Sequence, residues 1–314
     1  MNHELRTMNQ KFRQTKIRDN LILRARVIDA IRGFFKRDGY LEVETPIRIP
    51  APAPEGHVDP EASGQWFLQT SPELCMKQLM AAGYDRIFQI CKCFRSRERG
   101  GRHLPEMTLL EWYTADADYT HMMDQCETLV RDVALECRGA ARLCYQGSPV
   151  DLSAPWQRWT VAEAYRRYGS LSMADALEHH RFDEIMGLEI EPRLGMNRPV
   201  FLCDYPAQCG ALARLKPGRP EVAERFELYI GGLELCNGFS ELTDGVEQKS
   251  RFISEMARRR QAGKPTGPMP DKFLKALEAM PSATGNALGI DRLVMLLADA
   301  ANIDEVVAFC PEEL

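Results

Sequence analysis

Apolar residues recur at helical spacing near the start of the chain. Five of them occupy positions i, i+4, i+7, i+8 and i+11: Leu23, Val27, Ala30, Ile31 and Phe34. This spacing places them on one face of a helix, which Gly39 can end because glycine readily adopts the left-handed conformation. We expect the stripe, together with a strand over 40–45, to bury a two-fold homodimer interface. A core helix that buries the stripe within its own chain is the alternative.

Further periodic segments predict a mixture of strands and helices. Runs rich in β-branched and aromatic residues predict strands over 67–70, 86–94, 107–113 and 201–205. Helical spacing and capping signals predict helices over 73–82, 122–137, 161–168, 173–186 and 245–261. Proline, glycine and basic residues predict loops over 51–64 and 96–106. The first residues, 1–19, are polar and aperiodic, which predicts a loose arm.

Glutamates interrupt an otherwise apolar stretch over 224–244. Two alternating runs flank Gly231-Gly232, a dipeptide that accepts the positive φ angles of a two-residue hairpin turn. In such a hairpin Tyr229 pairs with Glu234, and Glu227 lies diagonally from Glu234, about 7–8 Å away on the same face. Two converging carboxylates favour a countercharge. Magnesium fits, because it takes few protein carboxylates and completes its shell with phosphate oxygens.

The third glutamate of this stretch, Glu241, lies an odd number of positions after Glu234. Odd spacing sends it to the opposite face of a regular strand, so we expect a bulge or bend at Asn237-Gly238. A solvated hairpin face is the simplest alternative for any single glutamate, because charged residues are mostly exposed.

Composition limits the classes of protein to consider. The chain has 314 residues, 45% of them hydrophobic and 27% charged, as in an ordinary globular protein. No apolar run is long enough for a membrane span and no secretory leader opens the chain, so we expect a cytoplasmic protein. The ten cysteines form no CxxC pair and indicate reduced core thiols. A net charge of -5 argues against a general attraction to nucleic acid.

Two segments carry cations that suit phosphate groups. The loop over 96–106 and the residue before it are strongly basic: Arg95, Arg97, Arg99, Arg102 and His103. The segment 285–295 begins with small residues and becomes an amphipathic helix that contains Arg292. Backbone amides at a helix start favour phosphate, and arginine adds a fixed cation. A solvated loop and an ordinary helix start are the alternatives.

Taken together, these segments resemble the motifs of a known enzyme family. LEVETP at 41–46, FR at 94–95 with HLPEMTLLEWY at 103–113, and ALGIDRLVM at 287–295 resemble the three motifs of class II aminoacyl-tRNA synthetases. TSPE at 70–73, DYP at 204–206 and RFELYIGGLELCNGFSEL at 225–242 are similar to the lysyl-tRNA synthetase subgroup. The resemblance implies an α+β catalytic core with an antiparallel six-stranded sheet flanked by helices.

The resemblance also implies a domain organisation and an activity. We expect an arm over 1–19 and a catalytic domain over 20–314, without the anticodon-binding domain of lysyl-tRNA synthetases. The chain therefore resembles the stand-alone ligases that activate (R)-β-lysine with ATP and transfer it to a lysine side chain of elongation factor P. We expect an AMP-forming ligase with a protein acceptor rather than tRNA. A minimal lysyl-tRNA synthetase and a catalytically silent lysine sensor are the alternatives.

Roles of individual residues follow from the resemblance alone. Arg95 would hold the α-phosphate, Arg292 the γ-phosphate and adenine, and Glu227 with Glu234 the magnesium ion. The full ATP site would comprise Arg95, Ser96, Arg97, Glu98, Leu104, Met107, Glu234, Leu235, Gly289 and Arg292. The lysine pocket would comprise Ser71, Pro72, Glu73, Glu111, Tyr113, Asn237, Glu241 and Ala287.

Several positions depart from the family pattern. Arg97 stands where the family has a glutamate that reads adenine, Leu104 replaces an asparagine, and Met107 replaces a stacking phenylalanine. Methionine can still pack against a purine ring, so these changes bear on adenine recognition rather than on phosphate or lysine binding. Ala287, in place of glycine, agrees with the ligase branch and narrows the amino-acid pocket. The sequence leaves open which lysine isomer is activated.

Overall fold

The computed structural model describes residues 12–314. The helices are α1 (Arg13–Lys16), α2 (Arg18–Arg37), α3 (Glu73–Ala81), α4 (Tyr119–Arg138), α5 (Val161–Tyr168), α6 (Met173–Glu178), α7 (Phe182–Ile185), α8 (Gly245–Gln261), α9 (Asp271–Ala276) and α10 (Ile290–Ala298). The strands are β1 (Leu41–Glu42), β2 (Arg48–Ile49), β3 (Ala62–Ser63), β4 (Trp66–Leu68), β5 (Arg86–Phe94), β6 (Glu106–Ala115), β7 (Arg142–Tyr145), β8 (Ser148–Asp151), β9 (Gln157–Thr160), β10 (Val200–Pro206), β11 (Leu215–Lys216), β12 (Arg219–Ile230), β13 (Leu233–Ser240) and β14 (Ala283–Gly289).

A nine-stranded sheet forms the centre of the molecule, in the order β1-β5-β6-β14-β13-β12-β10-β9 with β11 beside β12. The strands from β5 to β10 in this order pair antiparallel, whereas β1 and β9 run parallel to their neighbours. The α+β class is confirmed. The expected six strands form the antiparallel centre, and the count is corrected to nine because the added strands are too short to show alternation.

Helices cover both faces of the sheet. Helices α2, α4 and α10 contribute to the large apolar cluster on one face, where Phe35 stacks on Phe88 with ring centroids 4.7 Å apart. Helices α3, α8 and α9 contribute to a second cluster on the other face, which includes Ile87 and Tyr113. Because neighbouring residues along a strand point to opposite faces, β5 and β6 divide their side chains between these two layers.

The apolar stripe of α2 belongs to the first of these layers. All five of its predicted residues are buried within the single chain: Leu23, Val27, Ala30, Ile31 and Phe34. The expectation that this stripe forms a dimer interface is therefore wrong, since the stripe is already covered by its own sheet and helices. Ile22 on the same helix and Leu41 on β1 are instead half exposed.

The predicted arm over 1–19 lies only partly within the described residues. There, residues 13–16 form α1 and α2 begins at Arg18. The side chain of Arg13 donates to the carbonyl of Val307 at 3.1 Å, to the carbonyl of Ala308 at 2.9 Å and to Glu313 at 2.6 Å. These bonds attach the segment to the C-terminal end, so residues 12–19 are not the loose arm that their polarity predicted.

Other elements differ from the prediction at chain reversals. The helix expected over 173–186 is split, because His180 adopts a left-handed φ of 55° between α6 and α7; histidine tolerates this region better than most residues. The strand expected over 40–45 shrinks to β1. All ten cysteines are free thiols, and Cys144 is exposed rather than part of the core. No helix in the described part of the chain is long and apolar enough to cross a membrane.

Candidate active site

Four neighbouring strands each place one residue in a row across the sheet. Glu111 of β6 pairs with Ala287 of β14, Ala287 pairs with Asn237 of β13, and Asn237 pairs with Glu227 of β12. Paired residues on adjacent strands share a face of the sheet. Segments that are distant in sequence thus form one surface, the floor of the candidate site.

The predicted hairpin joins β12 to β13. Gly231 and Gly232 have positive φ angles of 60° and 71°, and Tyr229 pairs with Glu234, as predicted. The turn packs closely on the preceding segment, where a Cβ on Gly232 would lie 3.2 Å from the carbonyl oxygen of Pro192. The positive φ angles favour glycine at this turn, and a side chain at Gly232 would also make a tight contact with Pro192.

A bulge lies in β13, but not where it was predicted. Leu228 faces Cys236, whereas the next residue of β12 faces Glu234, so Leu235 is the extra residue. The expected bend at 237–238 is corrected to this position. One extra residue reverses the alternation that follows it, and this brings Glu241 to the site face.

Glu111 is the most enclosed carboxylate of the row. It accepts hydrogen bonds from the Ser71 hydroxyl at 2.6 Å and from the Tyr113 hydroxyl at 3.0 Å. Burial, and then the charge of Glu73, raise the pKa of Glu111 to about 7, against the pull of these two donors. The backbone amide of Glu73 donates to the same Ser71 hydroxyl at 3.0 Å, which ties the start of α3 to the sheet.

A second acidic pair lies beside Glu111. The ammonium group of Lys77 contacts Glu73 at 2.5 Å and Glu241 at 2.5 Å, and Lys77 is 1% exposed. Burial raises the pKa of Glu241 to about 8, although Lys77 lowers it. Glu73, Glu111 and Glu241 therefore form an enclosed acidic pocket, whose charge depends on the solution pH near neutrality.

Glu227 is held by three donors. Its carboxylate accepts from the hydroxyls of Tyr205 and Tyr229 at 2.6 Å each and from Arg225 at 2.6 Å. Burial raises the pKa of Glu227; Arg225 opposes the shift and Glu234 adds to it. Little of the Glu227 carboxylate is left free for another ligand.

Glu234 is more accessible than Glu227. Its side chain is 39% exposed and lies 3.4 Å from Arg292, which also donates to the Glu234 carbonyl at 2.6 Å. The described residues contain no cluster of three or more acidic, histidine or cysteine side chains that can hold a metal. Glu227 and Glu234 nevertheless fit a magnesium ion whose other ligands are mostly phosphate oxygens and water. Glu234 is the more accessible carboxylate of the two.

Arg95 follows β5 and begins the basic loop. Its Nη1 lies 3.8 Å from Glu98, and its buried Nε has no partner among the described residues. Arg292 reaches the same loop, with its Nη2 2.6 Å from His103 and its Nε 3.2 Å from the Arg102 carbonyl. Two guanidinium groups therefore flank the loop at the edge of the site.

The remaining residues of the predicted ATP site are divided between loop and core. Ser96 donates its backbone amide to the Asp59 carbonyl at 2.7 Å, Arg97 has a left-handed φ of 67°, and Met107 is half buried. Leu104 and Leu235 are 4% and 2% exposed and belong to the large apolar cluster. Their side chains are thus part of the core, and only their backbone groups remain for a nucleotide. Gly289 ends β14 just before α10.

Several residues of the site were missed by the sequence interpretation. Lys77 lies four positions after Glu73, which is the spacing of facing residues on a helix, and Arg225 lies two before Glu227, which is the spacing of one strand face. Phe239 supplies a ring 5.0 Å from the Lys77 ammonium. Glu191 approaches Glu227 and Glu234, and burial raises its pKa to about 7.

The loop over 51–64 also reaches the site. Burial and the charge of Glu73 raise the pKa of Glu55 to about 7, while Arg95 and Arg225 lower it. Arg259 of α8 fastens this loop by donating to the carbonyl of Glu55 at 2.7 Å, to a neighbouring carbonyl and to a carboxylate. No pattern in the sequence indicated this contact, because it joins an irregular loop to a distant helix.

Comparison with known proteins agrees with this geometry. A family model described as tRNA synthetases class II (D, K and N) matches residues 1–313, and the chain belongs to this family. The elongation factor P–(R)-β-lysine ligase of Edwardsiella ictaluri is 40% identical over 92% of this chain and 94% of its own length. That of Haemophilus influenzae is 39% identical over the same shares. The lysine–tRNA ligase of Thiobacillus denitrificans is 35% identical over 98% of this chain and 68% of its own length.

Proposed function

We propose that this protein activates (R)-β-lysine, or a closely related lysine, with ATP and transfers it to a lysine side chain of elongation factor P. The acidic pocket formed by Glu73, Glu111 and Glu241 carries the proposal, because a buried set of carboxylates is suited to an amino acid with two ammonium groups. The relatives that carry the ligase name are similar over nearly their whole length.

The amino-acid end of the site binds and orients the substrate. The amines of the substrate lie among Glu73, Glu111 and Glu241. Ser71 and Tyr113 fix the carboxylate of Glu111. Asn237 and Ala287 line the floor of the site. Pro72 caps the start of α3 and completes the wall. The substrate carboxylate then faces the α-phosphate that Arg95 holds.

Adenylate formation is an in-line displacement. A carboxylate oxygen of the amino acid bonds to the α-phosphorus of ATP, and the bond from that phosphorus to the pyrophosphate oxygen breaks. Arg95 neutralises charge on the α-phosphate and Arg292 on the γ-phosphate, since phosphoryl transfer depends mainly on positioning and charge stabilisation. Glu234, together with Glu227, would hold a magnesium ion, which would supply further charge neutralisation to the phosphates.

The rest of the ATP site follows the loop and the hairpin. The adenine and phosphates are bordered by Ser96, Arg97, Glu98 and Met107. Gly289 has no side chain, so the nucleotide can approach the backbone before α10. Leu104 and Leu235 contribute through backbone groups. In the second step the acceptor ε-amine bonds to the carbonyl carbon of the adenylate, AMP leaves with the bond's electrons, and the amine gives up a proton to solvent.

Lysine–tRNA ligase activity is the second candidate, favoured by the 35% identity to such a ligase over 98% of this chain. We prefer the protein acceptor because the net charge of the chain is -5, whereas phosphate contacts dominate the affinity of proteins for nucleic acid. We further propose a cytoplasmic homodimer, assembled through exposed apolar residues around the LEVETP segment such as Ile22, Leu41 and Ile47. A monomer by light scattering at micromolar concentration would exclude the dimer.

Exchange of radiolabelled pyrophosphate into ATP tests the first step without any acceptor. We expect exchange that depends on lysine or (R)-β-lysine and on Mg2+, and that requires no tRNA. Lysine binding without exchange would favour the catalytically silent sensor and contradict the proposed activity.

A further inference from the structure

Lys77 is the one resident cation that the structure places inside the acidic pocket among the described residues. Its ammonium lies 2.5 Å from Glu73 and 2.5 Å from Glu241, and the side chain is 1% exposed. The rings of Phe239 and Phe273 stand 5.0 Å and 6.0 Å from the same ammonium, and aromatic faces attract such a cation. Lys77 therefore has a fixed position between two carboxylates.

The charges of the pocket can be counted from these contacts. Glu73, Glu111 and Glu241 carry three negative charges when ionised, and Lys77 carries one positive charge. The net charge of the pocket is then minus two, which balances the two positive charges of a substrate with two ammonium groups. Without Lys77 the same pocket would retain one uncompensated charge, and an unpaired buried charge is strongly unfavourable.

We propose that Lys77 is a specificity-determining residue, which sets the charge of the pocket so that it accepts an amino acid with two ammonium groups. This inference rests on the proposed function and deepens it. Lys77 does not touch the reacting atoms. It acts through Glu73 and Glu241, whose remaining lone pairs it leaves for the substrate.

The surroundings of Glu241 support a ligand-directed role over a purely structural one. Its Oε1 is buried and has no hydrogen-bond partner among the described residues. A Cβ on Gly285 would lie 2.6 Å from that oxygen and 2.3 Å from the Tyr113 ring, so only glycine fits beside Oε1 and no side chain at position 285 supplies a donor. A buried acceptor without a partner is costly, and a substrate ammonium would satisfy it.

The same arrangement explains how shorter or neutral side chains would be rejected. An amino acid with one ammonium, such as norleucine, leaves one carboxylate of the pocket without a countercharge. In Lys77→Met, the pocket responds to its excess charge by taking up a proton, since removal of a nearby cation raises the pKa of a buried carboxyl. A protonated carboxyl attracts the substrate ammonium less, so both affinity and discrimination fall.

Isothermal titration calorimetry with L-lysine, (R)-β-lysine and norleucine tests the proposal without requiring turnover. For Lys77→Met we expect the Kd of both lysines to rise by about tenfold or more, as loss of one partner of a buried ion pair predicts. The preference for lysine over norleucine should shrink, while the Kd for ATP stays within about twofold because ATP binding lies outside the Glu73–Lys77–Glu241 network. Lys77→Arg should retain the preference, and Lys272→Met, an exposed lysine of α9, is the matched control.

A folded Lys77→Met that binds lysine as the parent does would overturn the proposal and make Lys77 a structural residue only. If Lys77→Met does not fold, the double variant Lys77→Met with Glu241→Gln restores the net pocket charge. It should then fold and still prefer lysine over norleucine, and loss of that preference would contradict the charge argument. A parent protein that binds lysine without pyrophosphate exchange contradicts the proposed activity, and the Kd values alone still decide the role of Lys77. A parent that binds neither lysine overturns both.

Discussion

The two ends of the candidate site are built differently. At the amino-acid end, Glu111 and Glu241 are each 1% exposed and lie on the strands β6 and β13 or just beyond. Ser71 holds Glu111 and Lys77 holds Glu241, and of these two carboxylates only Oε1 of Glu241 awaits a partner among the described residues. At the nucleotide end, Glu234 is 39% exposed and Arg95 is 30% exposed at the start of a loop, with its buried Nε unpaired.

The difference indicates that the two ends of the site have different roles in substrate binding. Groups fixed by strands and by partners are preorganised, which favours discrimination between similar small substrates. Groups on a loop reach their final contacts only when a ligand supplies the missing partner, so the nucleotide is expected to order its own end. Substitutions at the two ends should therefore impair different steps, and five experiments test this contrast.

The largest effect is expected at the nucleotide end, for Arg95→Ala. This change removes a charge-stabilising donor, which typically costs about 3–4 kcal/mol in the transition state. Pyrophosphate exchange should fall by a factor of about 10²–10³, whereas the Kd for lysine by calorimetry should change little. Arg86→Ala, an exposed arginine at the start of the strand that precedes Arg95, is the control. Unchanged exchange in Arg95→Ala would remove the phosphate role of this residue.

The next effect is expected at the amino-acid end, for Gly285→Ala. The new Cβ would lie 2.3 Å from Tyr113 and 2.6 Å from Glu241, and overpacking of this kind costs about 1–3 kcal/mol. Lysine affinity should fall by about tenfold or more, and the ATP KM should be nearly unchanged. Gly187→Ala meets nothing within 4 Å and is the matched control. Normal lysine binding by Gly285→Ala would show that the pocket is not rigid.

The pH dependence of lysine binding also tests the amino-acid end of the site, with a smaller expected effect. The pKa of Glu111 is about 7 and that of Glu241 about 8, both raised first by burial. Below these values the carboxyls are partly protonated, so binding a dication must release protons. Affinity should therefore rise between about pH 6 and 7.5, by at most tenfold per pH unit for each proton released. Calorimetry in two buffers of different ionisation enthalpy counts the protons, and Glu111→Gln should release fewer.

The same two groups have the opposite effect on the ligand-free protein. Their native pKa values lie above the ordinary value of 4.5, so the folded state holds protons that the unfolded state has lost. Their contribution to the free energy of unfolding is present below pH 4.5 and declines as pH rises toward 8. Thermal unfolding with and without lysine should show a ligand stabilisation that grows over this range. A constant difference would contradict the raised pKa values.

The smallest effect is expected where the basic loop meets the C-terminal end. Arg99 bonds to Asp304 at 2.9 Å and to Glu312 at 2.9 Å, and such exposed pairs are worth about 0.2–1 kcal/mol each. Arg99→Ala should raise the ATP KM by a few fold at most, with no change in lysine affinity. Arg219→Ala, whose partner Glu221 is also exposed, is the control. A change in lysine affinity would show that the two ends of the site are coupled.

Much of the fold was predictable because its strands are long and carry period-two patterns. The strand over 86–94 and the Gly231-Gly232 hairpin came from local rules of turn and alternation. The edge strand β9 did not, since four residues contain too little pattern, and the strand predicted over 40–45 is only two residues long as β1. The bulge at Leu235 was expected but misplaced, because its position depends on the pairing partner rather than on the bulged residues themselves.

Site residues that belong to a sequence motif were predictable, whereas those that only tertiary packing brings to the site were not. Glu227, Glu234 and Glu241 draw attention as charges among apolar residues. Lys77 does not, because a lysine on a helix normally reads as exposed, and only tertiary packing places it between Glu73 and Glu241. For the stripe on α2, the apolar face was recognised but its packing partner was predicted wrongly. The sequence cannot distinguish an apolar face that is covered by the same chain from one that is covered by a second copy.

Transfer to an acceptor is the most direct test of the proposed function. The protein is incubated with ATP, Mg2+ and either (R)-β-lysine or L-lysine, in the presence of elongation factor P or of tRNA, and the products are examined by mass spectrometry. The proposed function predicts that elongation factor P gains the mass of one lysyl unit on a lysine side chain while tRNA stays uncharged. Charged tRNA beside unmodified elongation factor P would contradict it and identify the enzyme as a lysine–tRNA ligase.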